Sequence, residues 1–89
     1  MTTKARKESL LAVARWQDEG PIRKFRKRKR MTVAEFAHLV GCTFTNVSYW
    51  EKEGGTPKKH LAAVARAMGT SPERLLYNIR GWAEKRPTR

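Results

Sequence analysis

The chain of 89 residues carries 20 lysines and arginines against 8 aspartates and glutamates, a formal charge of +12, and 39% of its residues are hydrophobic. This length leaves room for one small domain. The basic excess is concentrated at one end, because residues 1–30 contain 11 basic and 3 acidic side chains. A polyanion is therefore the expected partner, with nucleic acid as the first choice and an acidic lipid surface as the alternative.

Several classes of protein are excluded by composition. Cys42 is the single cysteine, so an internal disulfide and a cysteine-rich zinc module are both ruled out, and we expect no metal site. The longest apolar run near the N-terminus, residues 10–14, is too short for a secretion signal or a membrane span. We therefore expect a cytoplasmic, nucleoid-associated protein with no membrane partner. No candidate nucleophile lies beside a base, so we expect no enzymatic activity and no cofactor.

Helical periodicity begins in the basic N-terminal extension, residues 1–20, and predicts a helix over residues 2–19. The residues that share its apolar face are Leu10, Val13, Ala14 and Gln17. Gly20 and Pro21 interrupt the pattern, and a proline is well suited to the first position of a new helix. That second helix has only Ile22 and Phe25 as an apolar stripe, since basic residues fill most of its other positions.

Two short helices follow, with a sharp turn between them. Thr32 and Glu35 have the spacing of a capping box at the start of the first, and Gly41 predicts its end. Thr43 is placed to cap the second, and Gly54 to close it. The apolar period predicts a buried face of Val47, Trp50 and Glu51 and an outer face of Phe44, Thr45, Ser48, Tyr49 and Lys52.

Two further helices complete the prediction. Thr56 and Pro57 form a cap-then-proline signature for a helix that ends at Gly69, and Ser71 with Pro72 does the same for a last helix. No stretch alternates with period two, so no sheet is expected. The predicted fold is all-α: a compact bundle of about five short helices with a central helix-turn-helix, plus the additional N-terminal helix. Residues 21–80 form the domain, and residues 81–89 form a tail that continues the last helix.

The order of these motifs resembles a known family. The segments that carry the resemblance are residues 31–37, 41–43 and 47–51, Pro57, and residues 61–68. Together they are similar to the lambda-repressor-like, Cro-type helix-turn-helix of the XRE family, over residues 22–76. The resemblance implies a DNA-binding transcription regulator of prokaryotic, phage or plasmid type. In such a protein, the helix that starts near Thr43 reads the major groove of double-stranded DNA.

The resemblance also implies the roles of individual residues. Bases would be read by Phe44, Thr45, Asn46, Ser48 and Tyr49, and phosphates bound by Thr32, Lys52, Thr56, Lys58 and Lys59. The side-chain chemistry agrees, because apolar groups suit thymine methyls and an asparagine suits adenine. The family's glutamate at Glu51 pairs with an arginine of the first domain helix, which falls on Arg26. The chain departs from the family at Val33, where glutamine is usual, and at Glu53, where glycine is common.

The expected function is sequence-specific binding of duplex DNA as a transcriptional repressor, acting as a homodimer. Ile79 and Trp82 are the candidate interface residues, with the N-terminal helix as a rival interface; with Trp16, these side chains could instead pack on the domain or on another protein. One alternative function is a protein-interaction module with a protein partner, such as an antitoxin or a polymerase-associated subunit. The other is a non-specific basic nucleic-acid binder, in which the basic run over residues 23–30 would contact phosphate.

Overall fold

The helices of the chain follow one another with short connections. The computed structural model describes residues 3–87, with side chains from Ser9 onward, and this part contains six α-helices and no strand. The helices are α1 (Thr3–Asp18), α2 (Pro21–Arg28), α3 (Val33–Val40), α4 (Phe44–Glu53), α5 (Leu61–Met68) and α6 (Pro72–Glu84). The predicted all-α fold is confirmed. The predicted start of the first helix at Thr2, and residues 88–89 of the tail, lie outside the described residues.

Local capping sets the start of three helices. Thr32 Oγ1 accepts a hydrogen bond from the backbone N–H of Glu35 at 3.1 Å, and Glu35 Oε1 accepts one from the backbone N–H of Thr32 at 2.8 Å. This is the predicted capping box, and the backbone hydrogen bond from Thr32 lowers the pKa of the Glu35 carboxyl. Thr43 caps α4 by accepting from the N–H of Asn46 at 3.2 Å. Ser71 caps α6 in the same way.

The turn between α3 and α4 depends on Gly41. Its φ of +74° lies in the left-handed region, which is readily available to glycine and strained for other residues. The backbone N–H of Cys42 then bonds to the carbonyl of Ala37 at 2.9 Å, which closes the end of α3. The predicted end of this helix at Gly41 is confirmed.

The prediction that an α-helix begins at Pro57 is wrong. Lys58–His60 form a 3₁₀ turn instead, and α5 begins only at Leu61. The N–H of Lys58 bonds to the carbonyl of Thr56 at 2.8 Å, and the N–H of His60 bonds to that of Pro57 at 3.0 Å. These bonds span fewer residues than α-helical ones, so the chain is wound too tightly here for an α-helix. The Thr56 side chain caps neither segment.

The core of the domain is formed by side chains from the five helices α2 to α6. Its fully buried side chains include Phe36 from α3, Val47 from α4, Val64 from α5 and Leu75 from α6, each no more than 1% exposed. Each of these residues comes from the predicted apolar stripe of its helix. Burial of such side chains is the main stabilising term for a bundle of short helices, since helices of this length are marginal in isolation.

Helix α1 is attached to the domain by two tryptophans, Trp16 and Trp82, which we call the tryptophan clasp. Their rings stack with centroids 4.3 Å apart and planes 10° from parallel. Each indole N–H donates to the other residue's backbone carbonyl, at 2.7 Å in both directions. The two residues are 66 positions apart in the chain. The clasp therefore joins the N-terminal helix to the end of α6.

This arrangement corrects the predicted dimer-interface residues. Ile79 is 1% exposed and Trp82 is 8% exposed, because both pack inside their own chain. Neither side chain presents a surface to a second copy. Of the three alternatives weighed for these residues, packing on the domain is the one that the structure shows.

Candidate nucleic-acid interface

Helix α4 is held by its inner face. Val47 and Trp50 are buried in the core against the other helices, and Trp50 also lies beside the ring of His60, with centroids 5.9 Å apart. Helix α3 packs against α4 across the glycine turn. The two helices thus form the predicted helix-turn-helix, with α3 as the brace and α4 turned partly outward.

An ionic cluster locks the inner face of α4 to α2. Glu51 is buried, and its two carboxylate oxygens accept hydrogen bonds from Arg26 Nε and Nη2 at 2.8 and 2.9 Å. Arg26 Nη1 also donates to the carbonyl of Met31 at 3.0 Å, so the guanidinium is bonded on both sides. This two-point geometry is the strong form of an arginine–carboxylate pair. The structure thus brings together the two residues proposed as an ion pair from the sequence.

Arg23 is a second arginine in this cluster, and the sequence reasoning missed it. Its Nε donates to Glu51 Oε1 at 2.8 Å, and its Nη1 lies 3.3 Å from Asp18 at the end of α1. The signal was present in the spacing, because Arg23 and Arg26 are three residues apart and share one face of α2. Burial opposes ionisation of Glu51, but the hydrogen bonds from Arg26 and Arg23 outweigh it and hold the pKa of the carboxyl below its usual value.

The outer face of α4 is exposed and partly aromatic. Phe44 and Tyr49 expose 58% and 56% of their surface, Thr45 is exposed, and Asn46 and Ser48 are half-buried. All five proposed base-reading residues therefore lie on one accessible helix. Phe44, Thr45, Ser48 and Tyr49 also line a shallow depression on the surface of this helix.

The loop after α4 shapes this surface from one side. A Cβ atom added to Gly55 would overlap the ring of Tyr49. Glycine at this position therefore lets the tyrosine ring approach the loop backbone closely. The position of an exposed aromatic on α4 thus depends on a residue six positions further along the chain.

A comparison with protein families decides the class of the molecule. The model of the helix-turn-helix family matches residues 22–75, more than half of the chain. The chain belongs to the lambda-repressor-like (XRE) helix-turn-helix family. No curated protein and no solved structure matches it. Family membership supports a DNA-binding protein of the transcription-regulator type, and the family is not known for enzymatic activity.

The proposed phosphate-binding residues of this helix-turn-helix protein lie at the edges of α3 and α4. Lys52, Lys58 and Lys59 are exposed, and the Thr32 hydroxyl is at the N-terminus of α3. Thr56 is half-buried in the loop after α4. The sequence had suggested that Lys58 and Lys59 lie in the first turn of an α-helix. Their side chains instead project from a 3₁₀ turn.

Further cations extend along α2 and the turn that follows it. Lys24, Lys27, Arg28, Lys29 and Arg30 are all exposed. Lys27 lies 3.3 Å from Asp18, and its hydrogen bond lowers the pKa of that carboxyl. The guanidinium of Arg28 lies 5.6 Å from the centroid of the Phe25 ring. These side chains give this helix-turn-helix protein a basic surface along α2 and the turn that leads to α3.

Glu53 departs from the family's common glycine at the end of α4, and the structure gives its carboxylate a partner. Arg86 Nη2 lies 3.0 Å from Glu53 Oε2. The turn that glycine would make is instead made one residue later, by Gly54 with a φ of +72°. Arg86 lies beyond the segment that matches the family, and the sequence reasoning assigned it no role.

The remaining reactive side chain is Cys42, the single cysteine of the chain. Cys42 is half-buried in the α3–α4 turn, where burial raises the pKa of its thiol. Among the side chains that the structure describes, from Ser9 to Pro87, no cluster of histidine, cysteine, aspartate and glutamate could hold a metal ion. Within the same residues, no helix is both long and apolar enough to cross a membrane.

Proposed function

We propose that this helix-turn-helix protein binds duplex DNA with sequence preference and represses transcription in a prokaryotic, phage or plasmid setting. The observation that carries the proposal is the asymmetry of α4. Its inner face is fixed by Val47, Trp50 and Glu51, whereas its outer face exposes Phe44 and Tyr49 to solvent. Exposed aromatics on a rigid helix are typical of a recognition surface.

Each proposed reading residue has a matching base chemistry. Phe44 and the methyl group of Thr45 suit the methyl groups of thymine, and the amide of Asn46 suits N6 and N7 of adenine. Ser48 and Tyr49 offer hydroxyl groups to base edges. These residues lie in the first turns of α4, the part of a recognition helix that enters the major groove.

The phosphate contacts would fix the register of α4 in the groove. Lys52 lies near its end, Thr56 in the loop that follows, and Lys58 and Lys59 in the 3₁₀ turn after that loop. Thr32 lies at the N-terminus of α3, where its hydroxyl can donate to a phosphate while it accepts from the N–H of Glu35. The exposed cations of α2 increase the general attraction to DNA.

The protein is also proposed to act as a homodimer, since one short helix contacts few base pairs. Two copies would place their reading helices in half-sites about 34 Å apart. Because Ile79 and Trp82 are buried, the interface is assigned instead to the outer face of α6, where Tyr77 is 79% exposed. Glu73, Arg80 and Glu84 flank it with charges of both signs, which suits a self-complementary two-fold contact.

The test is selection of bound duplexes from a random double-stranded pool at physiological salt, with the purified chain alone. Enrichment of a palindrome with half-sites one helical turn apart is the expected result. Retention without enrichment would contradict sequence reading and favour the non-specific binder, for which the charge of +12 provides a physical basis. Absence of retention would contradict DNA binding and favour a protein-interaction module.

Two variants then separate base reading from phosphate binding. Asn46→Ala should lower the ratio of specific to non-specific affinity by about 1–3 kcal/mol at one base position. Lys59→Ala should weaken binding to all sequences alike. It should also reduce the slope of log affinity against log salt concentration by about one unit. Identical behaviour of the two variants in competition titrations would contradict the assignment of α4 as the reading helix.

A further inference from the structure

The C-terminal end of α4 is held by two side chains from outside the family-matched segment. The last carbonyls of any helix lack partners within the helix. Here Gln17 Nε2 from α1 donates to the carbonyl of Lys52 at 3.1 Å. Arg86 Nη1 donates to the carbonyl of Glu53 at 3.4 Å. Residues from opposite ends of the chain thus meet at the end of the proposed reading helix.

Arg86 makes two further contacts at the same point. Its Nη2 pairs with the Glu53 carboxylate at 3.0 Å, and its guanidinium lies 5.3 Å from the centroid of the Trp16 ring. The ring of Trp16 also reaches the turn after α4, because a Cβ atom on Gly54 would lie 3.3 Å from it. The tryptophan clasp therefore carries both Gln17 and Arg86 to the end of α4.

The charge of Glu53 gives this contact a consequence for binding. The carboxylate lies at the last residue of α4, directly before the loop that leads through Thr56 to Lys58 and Lys59. If this loop approaches a phosphate, an unpaired acid beside it would repel the DNA over distances of about 8 Å at physiological salt. A cation on the carboxylate removes most of that repulsion.

We propose that Arg86 is a positioning residue for DNA binding, which neutralises Glu53 and, with Gln17, fixes the end of α4. The inference rests on the proposed function, because it takes α4 and the following loop as the DNA-binding surface. It assigns a role in binding to α1 and to the segment after α6, neither of which belongs to the matched helix-turn-helix. In this role Arg86 acts through Glu53 and touches no DNA itself.

The test is a double-mutant cycle on Arg86 and Glu53, with affinity measured by fluorescence anisotropy on a labelled mixed-sequence DNA duplex. Arg86→Ala should weaken binding about twofold to fivefold, as expected for loss of an exposed ion pair, and the deficit should shrink as salt is raised. Glu53→Gln should bind at least as tightly as the wild type. In the Glu53→Gln background, Arg86→Ala should have a clearly smaller effect, because it then removes only the bond to the Glu53 carbonyl and the contact with Trp16.

Controls separate this role from the alternatives. Arg86→Lys keeps the charge and should bind DNA like the wild type. Arg74→Ala removes an exposed arginine elsewhere on the surface. Glu53→Gln should therefore change DNA affinity by the same factor in the Arg74→Ala background as in the wild type. An equal loss from Arg86→Ala in both backgrounds would overturn the proposal, since it would mean that Arg86 contacts phosphate directly. Thermal unfolding of each variant confirms that the fold is retained. Failure of the wild type to bind any duplex would instead refute the proposed function itself.

Discussion

Glu51 and Glu53 are two residues apart on α4, and each pairs with arginine, yet the two pairs lie in different surroundings. The side chain of Glu51 is 1% exposed and is bonded by Arg23 and Arg26. The side chain of Glu53 is 50% exposed and is bonded by Arg86. A buried pair cannot lose one partner without stranding a charge away from water, whereas an exposed partner is readily solvated. The first pair therefore matters for stability, and the second for the charge presented to a ligand.

The segments that supply these arginines differ in the same way. Arg23 and Arg26 belong to α2, inside the family-matched residues, and they join α4 through the buried side of the domain. Arg86 and Gln17 belong to the terminal segments, which are attached by the tryptophan clasp. The clasp joins flat apolar surfaces and satisfies both indole N–H groups, so it combines burial with full hydrogen bonding. Mutations can test these two attachments separately.

Loss of the clasp is expected to have the largest effect. Trp82→Ala should lower the free energy of unfolding by about 3–5 kcal/mol, because it removes a buried indole and leaves Trp16 without its stacking partner. The measurement is a denaturant titration followed by circular dichroism. Tyr77→Ala, at an exposed aromatic of the same helix, serves as the control at concentrations where sedimentation shows a monomer, and should change stability by less than about 0.5 kcal/mol. Equal stability of Trp82→Ala and the wild type would mean that α1 does not pack on α6.

The buried ion pair should come next. Glu51→Ala should cost about 3 kcal/mol in unfolding free energy, since Arg26 and Arg23 would be left without their acid. Glu53→Ala, two residues away, should cost no more than about 1 kcal/mol in the same titration, because its partner is open to water. Similar losses from the two substitutions would contradict the contrast between the buried and exposed pairs.

The pH dependence of stability should follow the same residue. The folded state holds the pKa of Glu51 below its usual value of 4.5. Its contribution to stability is therefore fully present above about pH 4.5 and is lost as the pH falls through the lower, folded pKa. Glu51→Gln should be less stable than the wild type at neutral pH, with a smaller decline between neutral and acidic pH in thermal unfolding. A decline as steep as that of the wild type would show that other carboxyl groups govern acid unfolding.

Alanine substitutions at two separate glycines, Gly20 and Gly81, should change the unfolding free energy least and would sharpen the description of the clasp. A Cβ atom on Gly20 would lie 2.8 Å from Cζ2 of Trp82, whereas one on Gly81 would meet nothing within 4 Å. Gly20→Ala should therefore cost about 1–3 kcal/mol through overpacking. Gly81→Ala, inside α6, should stabilise the protein by about 0.5–1 kcal/mol. Thermal unfolding of both variants is the measurement, and stabilisation by both would place the Trp82 ring away from Gly20.

Features governed by neighbouring residues could be predicted from the sequence. The capping box at Thr32, the cap at Thr43 and the left-handed turn at Gly41 each involve residues within about four positions of one another, so the local pattern contains all the necessary groups. The apolar period likewise predicted that Val47 and Trp50 face inward. The start of α5 was the exception, because a 3₁₀ turn after Pro57 competes with an α-helix over the same few residues.

Relations between distant residues were decided only by the tertiary structure. Nothing near Trp82 in the chain indicates that its partner is Trp16, 66 residues earlier. The sequence therefore could not show that Ile79 and Trp82, the candidate dimer-interface residues, are covered by their own chain. The same applies to Arg23 at Glu51 and to Arg86 at Glu53. The sequence by itself determined the helices, the caps at Thr32 and Thr43 and the outward face of α4, since these depend on local hydrogen bonds and period. Which aromatic and charged groups meet depended on how the helices pack, because a side chain is satisfied by proximity in space and not along the chain.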